Sequence, residues 1–587
     1  MDFQQILVIG VVIFLVFALY RELFNPALTF FICVGILMFA GVLTPADLLR
    51  GLSNTQIIII FLLILVTAGI RVIYGSGLFL KLFNTKLSPR AFLLRMMLSS
   101  SIISAFLNNT PIVAFMIPYV KDWADKAGHP ASKFLIPLSY ATILGGMITV
   151  IGTSTNLVLN GLISEYNLPL LQFTDFLYLG LIVTLLGWIY LYFIGFRLLP
   201  SHTGKLEELK GKLKEYIVET EIFKGSVLSG KSVKEAGLRN LKDLFLVEVL
   251  RADKIISPVA PDFLLHEGDL LFFSGHTDSI FDLIKEENGL RLPKQDKLKG
   301  EGHFNFIEAV IPANSDLIGV RIKDSDFRQR FNASIVAVHR AGKRVSGKVG
   351  ETTLAGGDFL LLVSGGDYMN QHAEKDLFFI STPKSIANNK PAWMHYLGLA
   401  SFLALICGIT GIVPLFNVLF AILAVFVVSG ILNILEIKRQ LDLSLLMVLV
   451  CSLALGVALQ KTGVAGIIGN GLLGISQSYG IVASITLLFL VTILLTTLIT
   501  NAAAVAIMFP IAMAMAEASA VSSTPFFIAI AFAASGDFIT PIGYQTNLMV
   551  FGPGGYTFKD FVKTGAPLSV LYILVCIIFI SYYYQLT

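Results

Sequence analysis

The sequence is poor in cysteine, in charge and in histidine. Cys33, Cys407, Cys451 and Cys576 are its four cysteines, and each lies in an apolar run. They fit neither a metal-ligand spacing nor a disulfide framework. Charged residues make up 14% of the chain, against about 25% in a soluble domain. That composition excludes a disordered chain and argues against one large soluble enzyme. Net charge is +4, with no basic stripe, so nucleic acid is not an expected partner. The chain has no Ser/His/Asp constellation, no His-Glu-x-x-His and no cysteine in a polar setting. No enzyme activity and no cofactor are therefore expected. What is abundant is apolar sequence: 55% of 587 residues, with mean hydropathy +0.78.

The charge that exists is concentrated. Residues 200–392 hold 54 of the 82 charged residues, while the flanks are almost continuously apolar. The chain therefore reads as membrane, soluble insert, membrane. Apolar segments fall near 5–22, 27–43, 57–84, 91–120, 132–160 and 176–199, then near 393–413, 416–435, 442–470, 482–516, 524–551 and 566–585. Several exceed the roughly 20 residues of one crossing and are interrupted by polar or Gly/Pro clusters. The run Ile6 to Tyr20 lacks a small-residue cleavage site and reads as a retained helix.

The interruptions repeat. Asn109 and Pro118 match Asn501 and Pro510 at an offset of 392. Gly152, Thr155, Asn156 and Leu157 match Gly543, Thr546, Asn547 and Leu548 at 391. Phe173-Thr174-Asp175-Phe176 matches Phe558-Lys559-Asp560-Phe561. If 91–120 and 482–516 are re-entrant hairpins, each half crosses five times and the second enters inverted. Thirteen Lys/Arg of the flanks then lie on the cytoplasmic side, and only Arg50 and Lys461 outside, as the positive-inside rule requires. Arg71 and Lys461 read as residues that snorkel to the interface. Inverted repeats with matched helix breaks are a transporter pattern. Broken helices expose N–H and C=O groups that lipid cannot satisfy, so they must line a cavity. Free N–H groups favour an anion, and free carbonyls and hydroxyls favour a hard cation. Asn, Thr and Gly in membrane helices also serve plain helix packing.

Carboxylates are scarce where a proton relay would need them. No Asp or Glu occurs between Asp47 and Asp122, and Asp537 is the only carboxylate well inside a second-half core segment. Neutral oxygen ligands suit sodium better than protons.

These residues make the chain resemble the divalent anion:sodium symporters, carriers of sulfate, phosphate and di- or tricarboxylates. Their hairpin tips carry Ser-Asn-Thr, each followed by a Gly-Thr-Pro-Pro-Asn-like break. Here the tips read Asn108-Asn109-Thr110 and Thr500-Asn501-Ala502, and the breaks read Gly152-Thr153-Ser154-Thr155-Asn156 and Gly543-Tyr544-Gln545-Thr546-Asn547. The resemblance covers both membrane halves, although neither triplet is perfect. It implies one sodium held by Ser104, Asn108, Asn109 and the Gly152 carbonyl. It implies a second held by Thr496, the Ile499 carbonyl, Asn501 and the Gly543 carbonyl. The anion would touch Asn109, Thr110, Asn501 and Ala502, with Thr153 and Tyr544 nearby. A homodimer with an elevator-like transport domain is implied too, with 27–84 and 416–470 in the scaffold.

The insert is itself duplicated, at an offset of 89. Gly230 and Arg239 match Gly319 and Arg328, and Gly268-Asp269-Leu270 matches Gly357-Asp358-Phe359. Period-2 alternation in Phe245–Leu250 and Ser334–Val338 predicts strands. Each unit reads as strand, short helix, strand, hairpin turn, strand. The pattern resembles the C-terminal subdomain of potassium-conductance regulators (RCK-C). No Gly-x-Gly-x-x-Gly fingerprint accompanies it.

The expected fold is a polytopic α-helical membrane protein with inverted repeats, two re-entrant hairpins and an α+β cytoplasmic insert. Its expected domains are 1–199, 209–294, 296–385 and 393–587. The expected function is sodium-coupled symport of a divalent anion, sulfate before dicarboxylates. Ala502 removes one tip hydroxyl and Tyr544 shortens the cavity, which favours a compact oxyanion. The alternatives are a dicarboxylate carrier and, more distantly, a channel regulated by the insert. Expected partners are the anion, sodium, lipid, a second copy and a small regulatory ligand on 209–385. The expected location is the cell membrane, as a multi-pass protein of a bacterial inner membrane, with 200–392 cytoplasmic.

Overall fold

The computed structural model describes residues 1–21, 23–74, 87–201, most of 217–275, 289–291, most of 305–364, 377–379, 392–441, 443–541 and 543–586. The domain edges at 209, 294, 296 and 385 lie outside the described residues, as do Lys81, Lys86, Arg239 and the Arg71 side chain.

The first half holds α1 (Phe3–Tyr20), α2 (Pro26–Phe39), α3 (Pro45–Ser53), α4 (Thr55–Tyr74), α5 (Pro89–Ser104), α6 (Asn109–Lys126), α7 (Leu135–Gly146), α8 (Ser154–Glu165) and α9 (Phe173–Tyr190). Among its described residues the insert contributes one short α-helix, α10 (Phe327–Phe331). The second half holds α11 (Ala392–Ile409), α12 (Leu415–Val428), α13 (Ile434–Gln440), α14 (Leu443–Lys461), α15 (Val464–Ser476), α16 (Ile481–Leu498), α17 (Asn501–Ala518), α18 (Thr524–Ser535), α19 (Gln545–Phe551) and α20 (Phe558–Tyr583). Among the described residues six helices are long and apolar enough to cross a membrane, or seven if the bent pair α3–α4 is one span. The described parts of the long apolar segments thus fold as helices, and the architecture is mostly helical and suits a membrane protein.

The caps explain where these helices start. Capping boxes join Thr44 with Asp47 and Asn433 with Glu436. Others join Gln172 with Asp175 and Thr557 with Asp560. Each box satisfies N–H groups that a helix cannot satisfy itself. α6 and α17 are both 18 residues long, and each holds an internal proline, Pro118 or Pro510. The halves interlock reciprocally. α2 packs on α14 and α4 on α12, while α8 packs on α17 and α19 on α6 and α7.

Two ion pairs join α3 to the ends of α8 and α14. Arg50 lies 3.6 Å from Glu165. Lys461 does not simply snorkel: its Nζ is 2.6 Å from Oδ2 of Asp47, which is 4% exposed. A carboxylate that far from water requires the pairing.

The insert forms two five-stranded sheets. The first contains β1 (Ile217–Ile222), β2 (Leu244–Arg251), β3 (Lys254–Ile256), β4 (Leu270–Gly275) and β5 (Leu290–Arg291), in the order β3-β2-β4-β1-β5. The second contains β6 (Asn305–Val310), β7 (Ala333–Arg340), β8 (Lys343–Arg344), β9 (Phe359–Ser364) and β10 (Phe378–Phe379), in the order β10-β6-β9-β7-β8. Their register irregularities fall at Leu246/Glu248 and Ile335/Ala337, again 89 apart. Arg251 makes two bonds of 2.7 Å to Asp269, and Arg340 makes the same two to Asp358. A helix appears only in the second unit among the described residues; 234–238 of the first forms turns.

The second unit is seated on the membrane part. Lys121 of α6 pairs with Glu308 of β6. Val310 and Phe359 belong to the same apolar core as the membrane helices. A Cβ at Gly357, where φ is +79°, would lie 2.4 Å from Cδ1 of Leu548 on α19. Only glycine meets both the backbone angle and that approach.

Candidate functional site at the matched helix breaks

The chain between α5 and α6 turns at 105–108, and between α16 and α17 at 499–500. α5 and α7 approach closely beside the first turn, where Ser101 Oγ donates to the Ala141 carbonyl at 2.6 Å. Ser104 Oγ donates to the Thr142 carbonyl at 2.8 Å and lies 2.5 Å from Asn109 Oδ1. Thr496 Oγ1 donates to the Ala534 carbonyl at 3.0 Å and to Asn501 Oδ1 at 2.9 Å. The two triads are 392 residues apart at every member.

The second pair of breaks also match. Gly152 N–H donates to Thr149 Oγ1 at 3.1 Å, and Gly543 N–H donates to Thr540 Oγ1 at 3.1 Å. Asn156 Nδ2 donates to the Thr149 carbonyl at 3.2 Å, and Asn547 Nδ2 to the Thr540 carbonyl at 3.0 Å. These bonds hold the non-helical backbone in place where the ladder is interrupted. Thr149 Oγ1 also bonds the Ala105 carbonyl, which ties the first break to the first turn.

Asn109 is 1% exposed and has two amide orientations. In one, its nitrogen donates to Ser104 Oγ, the Thr142 carbonyl (3.2 Å) and the Gly152 carbonyl (3.3 Å), and its oxygen accepts from the Tyr544 hydroxyl at 2.6 Å. In the other, Oδ1 faces those three oxygens and Nδ2 donates to Tyr544. The first orientation satisfies the amide without an ion; the second would gather four neutral oxygens, the ligand set of a hard cation. The residues fit a bound sodium ion only in that second orientation, which a cation would have to select.

Tip and break of opposite halves touch. Besides Tyr544 on Asn109, Thr110 Oγ1 donates to Gln545 Oε1 at 3.0 Å. Thr153 is another side-chain hydrogen-bond partner of Tyr544. Of the expected residues, Ser104, Asn109, Thr110, Gly152, Thr153 and Tyr544 therefore form one connected set. Thr496 and Asn501 form a second set, beside the extended Ile499 and the helix-starting Ala502. Gly543 lies against Asp537 and Thr540. Asn108 stands apart: it caps α6 without a side-chain bond and lines a cavity with Ile60, Ile64, Thr67, Phe106 and Ser154. Sequence reasoning missed Gln545, Thr142 and Ser139. Ser139 Oγ donates to Asn547 Oδ1 at 2.7 Å. Gln545 was within the quoted break, but its partner Thr110 is 435 residues away.

A family model described as a citrate transporter matches residues 11–526. The chain belongs to the citrate transporter family. Several relatives align over nearly the whole chain. A Chlamydomonas reinhardtii protein, provisionally named a sulfur deprivation response regulator, is 31% identical, covering 96% of this chain and 99% of that protein. An uncharacterized transporter of Synechocystis is 30% identical, covering 97% and 95%. Sodium/sulfate cotransporter 2 of Chlamydomonas reinhardtii is 24% identical, covering 94% and 86%. Family membership agrees with the resemblance drawn from the tips and breaks, and it makes this chain a transporter of the anion family rather than an enzyme.

Proposed function

We propose that this family member is a sodium-coupled symporter of a divalent anion, with sulfate as its substrate. The observation that carries the reading is the oxygen cluster of Ser104, Asn109, Thr142 and Gly152, beside the cross-half contact of Asn109 with Tyr544. One sodium is held there, and a second at Thr496, Asn501 and the Ile499 and Gly543 carbonyls. The anion sits between the two, against the starts of α6, α8 and α17. The caps of α6 and α8, Asn108 and Thr153, make no side-chain cap bond, so those N–H groups are available to an oxyanion. Thr110 contributes a hydroxyl and Ala502 does not.

The finer architecture belongs to the same proposal. The two halves are inverted repeats with re-entrant hairpins at 91–120 and 482–516. The protein is a homodimer in the cell membrane and works by an elevator-type movement. Residues 209–294 and 296–385 are RCK-C-like units on the cytoplasmic side, where a small regulatory ligand binds. Support comes from the equal spacing of matched bonds and from the sodium/sulfate names of several relatives.

The family description favours a second reading, a citrate carrier. Uptake of labelled sulfate into proteoliposomes, with excess sulfate, thiosulfate, succinate or citrate, separates the two. Sulfate uptake driven by an inward sodium gradient, unaffected by a proton gradient, is expected. Equal uptake in choline buffer, or no uptake of sulfate, rejects the reading.

A further inference from the structure

The two matched clusters differ in charge at one position. Asp537 follows α18 and is 1% exposed. Its carboxylate accepts from Ile539 N–H (3.2 Å), Thr540 N–H (3.3 Å) and Thr540 Oγ1 (2.8 Å). Among the described residues no cationic side chain pairs with it. A charge so enclosed is costly unless a counter-charge joins it.

Matching Ile148-Thr149 with Ile539-Thr540 places Asp537 opposite Gly146. The packing agrees. A Cβ at Gly152 would meet Gly146, at 2.4 Å from its carbonyl oxygen; a Cβ at Gly543 would meet Asp537, at 1.8 Å from Oδ2. In the first half, a side chain at Gly146 would point into the cluster, because its Cβ would lie 2.4 Å from Asn109 Oδ1. The first cluster thus has glycine at this place, and all of its oxygens are neutral. At the matched position the second half has a carboxylate instead, against Gly543, whose carbonyl is an expected ligand of the second site.

We propose that Asp537 gives the second sodium site a fixed negative charge that the first site lacks, so that the two ions bind unequally. This rests on the sodium-coupled reading above. The charged site takes its sodium more tightly and does so without the anion. The neutral site fills at higher sodium and depends on the anion's charge nearby. Asp537 is here a binding residue, and its three hydrogen bonds hold the carboxylate in place.

The bland reading is that Asp537 only caps the turn at 537–540. Asp537→Asn separates the two, because an Asn side chain accepts the same N–H bonds and lacks the charge. The full-length protein, purified in detergent, is titrated with sodium chloride against choline chloride, without substrate anion, and thermal stabilisation is followed. The wild type should be stabilised at low sodium. In Asp537→Asn the half-maximal sodium concentration should rise about tenfold or more, as loss of a nearby unit charge predicts. If wild type and variant share one midpoint, Asp537 is a turn cap and the proposal falls. If sodium does not stabilise the wild type, the sodium-coupled reading falls with it. If Asp537→Asn does not fold, Asp537→Ser, which caps the turn through its hydroxyl, is judged by the same midpoint.

Discussion

Lys121 and Glu308 form an ion pair almost closed to solvent, with side-chain exposures of 16% and 3%. Lys121 lies near the end of α6, and Asn109 begins the same helix. At 1.5 Å per residue, α6 spans about 27 Å. The insert is therefore fastened to the helix that carries the candidate site.

That pairing predicts an asymmetric mutational result. Lys121→Ala leaves Glu308 buried without this partner and should cost roughly 3–5 kcal/mol. Lys121→Met combined with Glu308→Leu removes both charges and should cost much less. Thermal unfolding of the three purified proteins measures this. A double variant as unstable as the single one would argue against it.

Deleting 205–385 and joining the ends with a short linker tests what the insert does. The membrane halves keep their own continuous core, so they should still fold. Rate or regulation should change, while sodium dependence should not, because any effect of the insert on the site is coupling between distinct states. A well-folded deletion that binds no anion in sodium would contradict this.

Asn109 is expected to be indispensable, and Tyr544 important. Asn109→Ala or Asn501→Ala removes ligand oxygens from one cluster and should abolish uptake. Tyr544→Phe removes one bond of 2.6 Å and leaves a buried amide atom unpaired, at about 1–3 kcal/mol. Uptake of labelled sulfate at low substrate should then fall about tenfold. Normal uptake by Tyr544→Phe would show that the contact is incidental.

Substrate choice should follow position 502. Ala502→Thr restores the hydroxyl that the second tip lacks, which should improve competition by succinate against sulfate. Competition assays with both anions give the answer. An unchanged ratio would remove the argument from Ala502, whatever the substrate.

The insert's ion pairs predict stability without a pH step near neutrality. The Asp269 hydrogen bonds raise the Arg251 guanidinium above its ordinary value. A raised basic group stabilises fully below its unfolded value, which for a guanidinium lies far above neutrality, and loses this only as pH climbs past the folded one. Unfolding of the insert region followed from mildly acid to mildly alkaline pH should show no transition from Arg251. Arg340→Leu should destabilise, because Asp358 is fully buried and would lose its partner.

Much of this was legible in the chain because a repeated break leaves a repeated spacing. Asn109 with Asn501 and Gly152 with Gly543 marked the matched turns and breaks in the sequence itself. The duplicated insert was legible in the same way, down to the Gly-Asp turn before β4 and β9. What was hidden depends on contact between distant segments. Lys121 read only as a cytoplasmic-side charge, since nothing in α6 signals Glu308. Lys461 read as an interfacial residue because Asp47 is 414 positions away. Gln545 was visible, but its partner was not. Asp537 was noticed as a solitary carboxylate, and only the packing against Gly543 gives it a neighbourhood.

Gly357 sits on Leu548, and Phe359 packs beside Gly552. Both contacts fall on the stretch that begins with Tyr544 and Gln545. The second unit thus grips α19 as well as α6, so any proposed movement of those two helices would carry it along as a passenger. If the protein is the proposed dimer, a fluorophore on the exposed Arg321 face, paired with one on the other subunit, would act as an external pointer. It would report any such movement of α6 and α19 without a label inside the membrane.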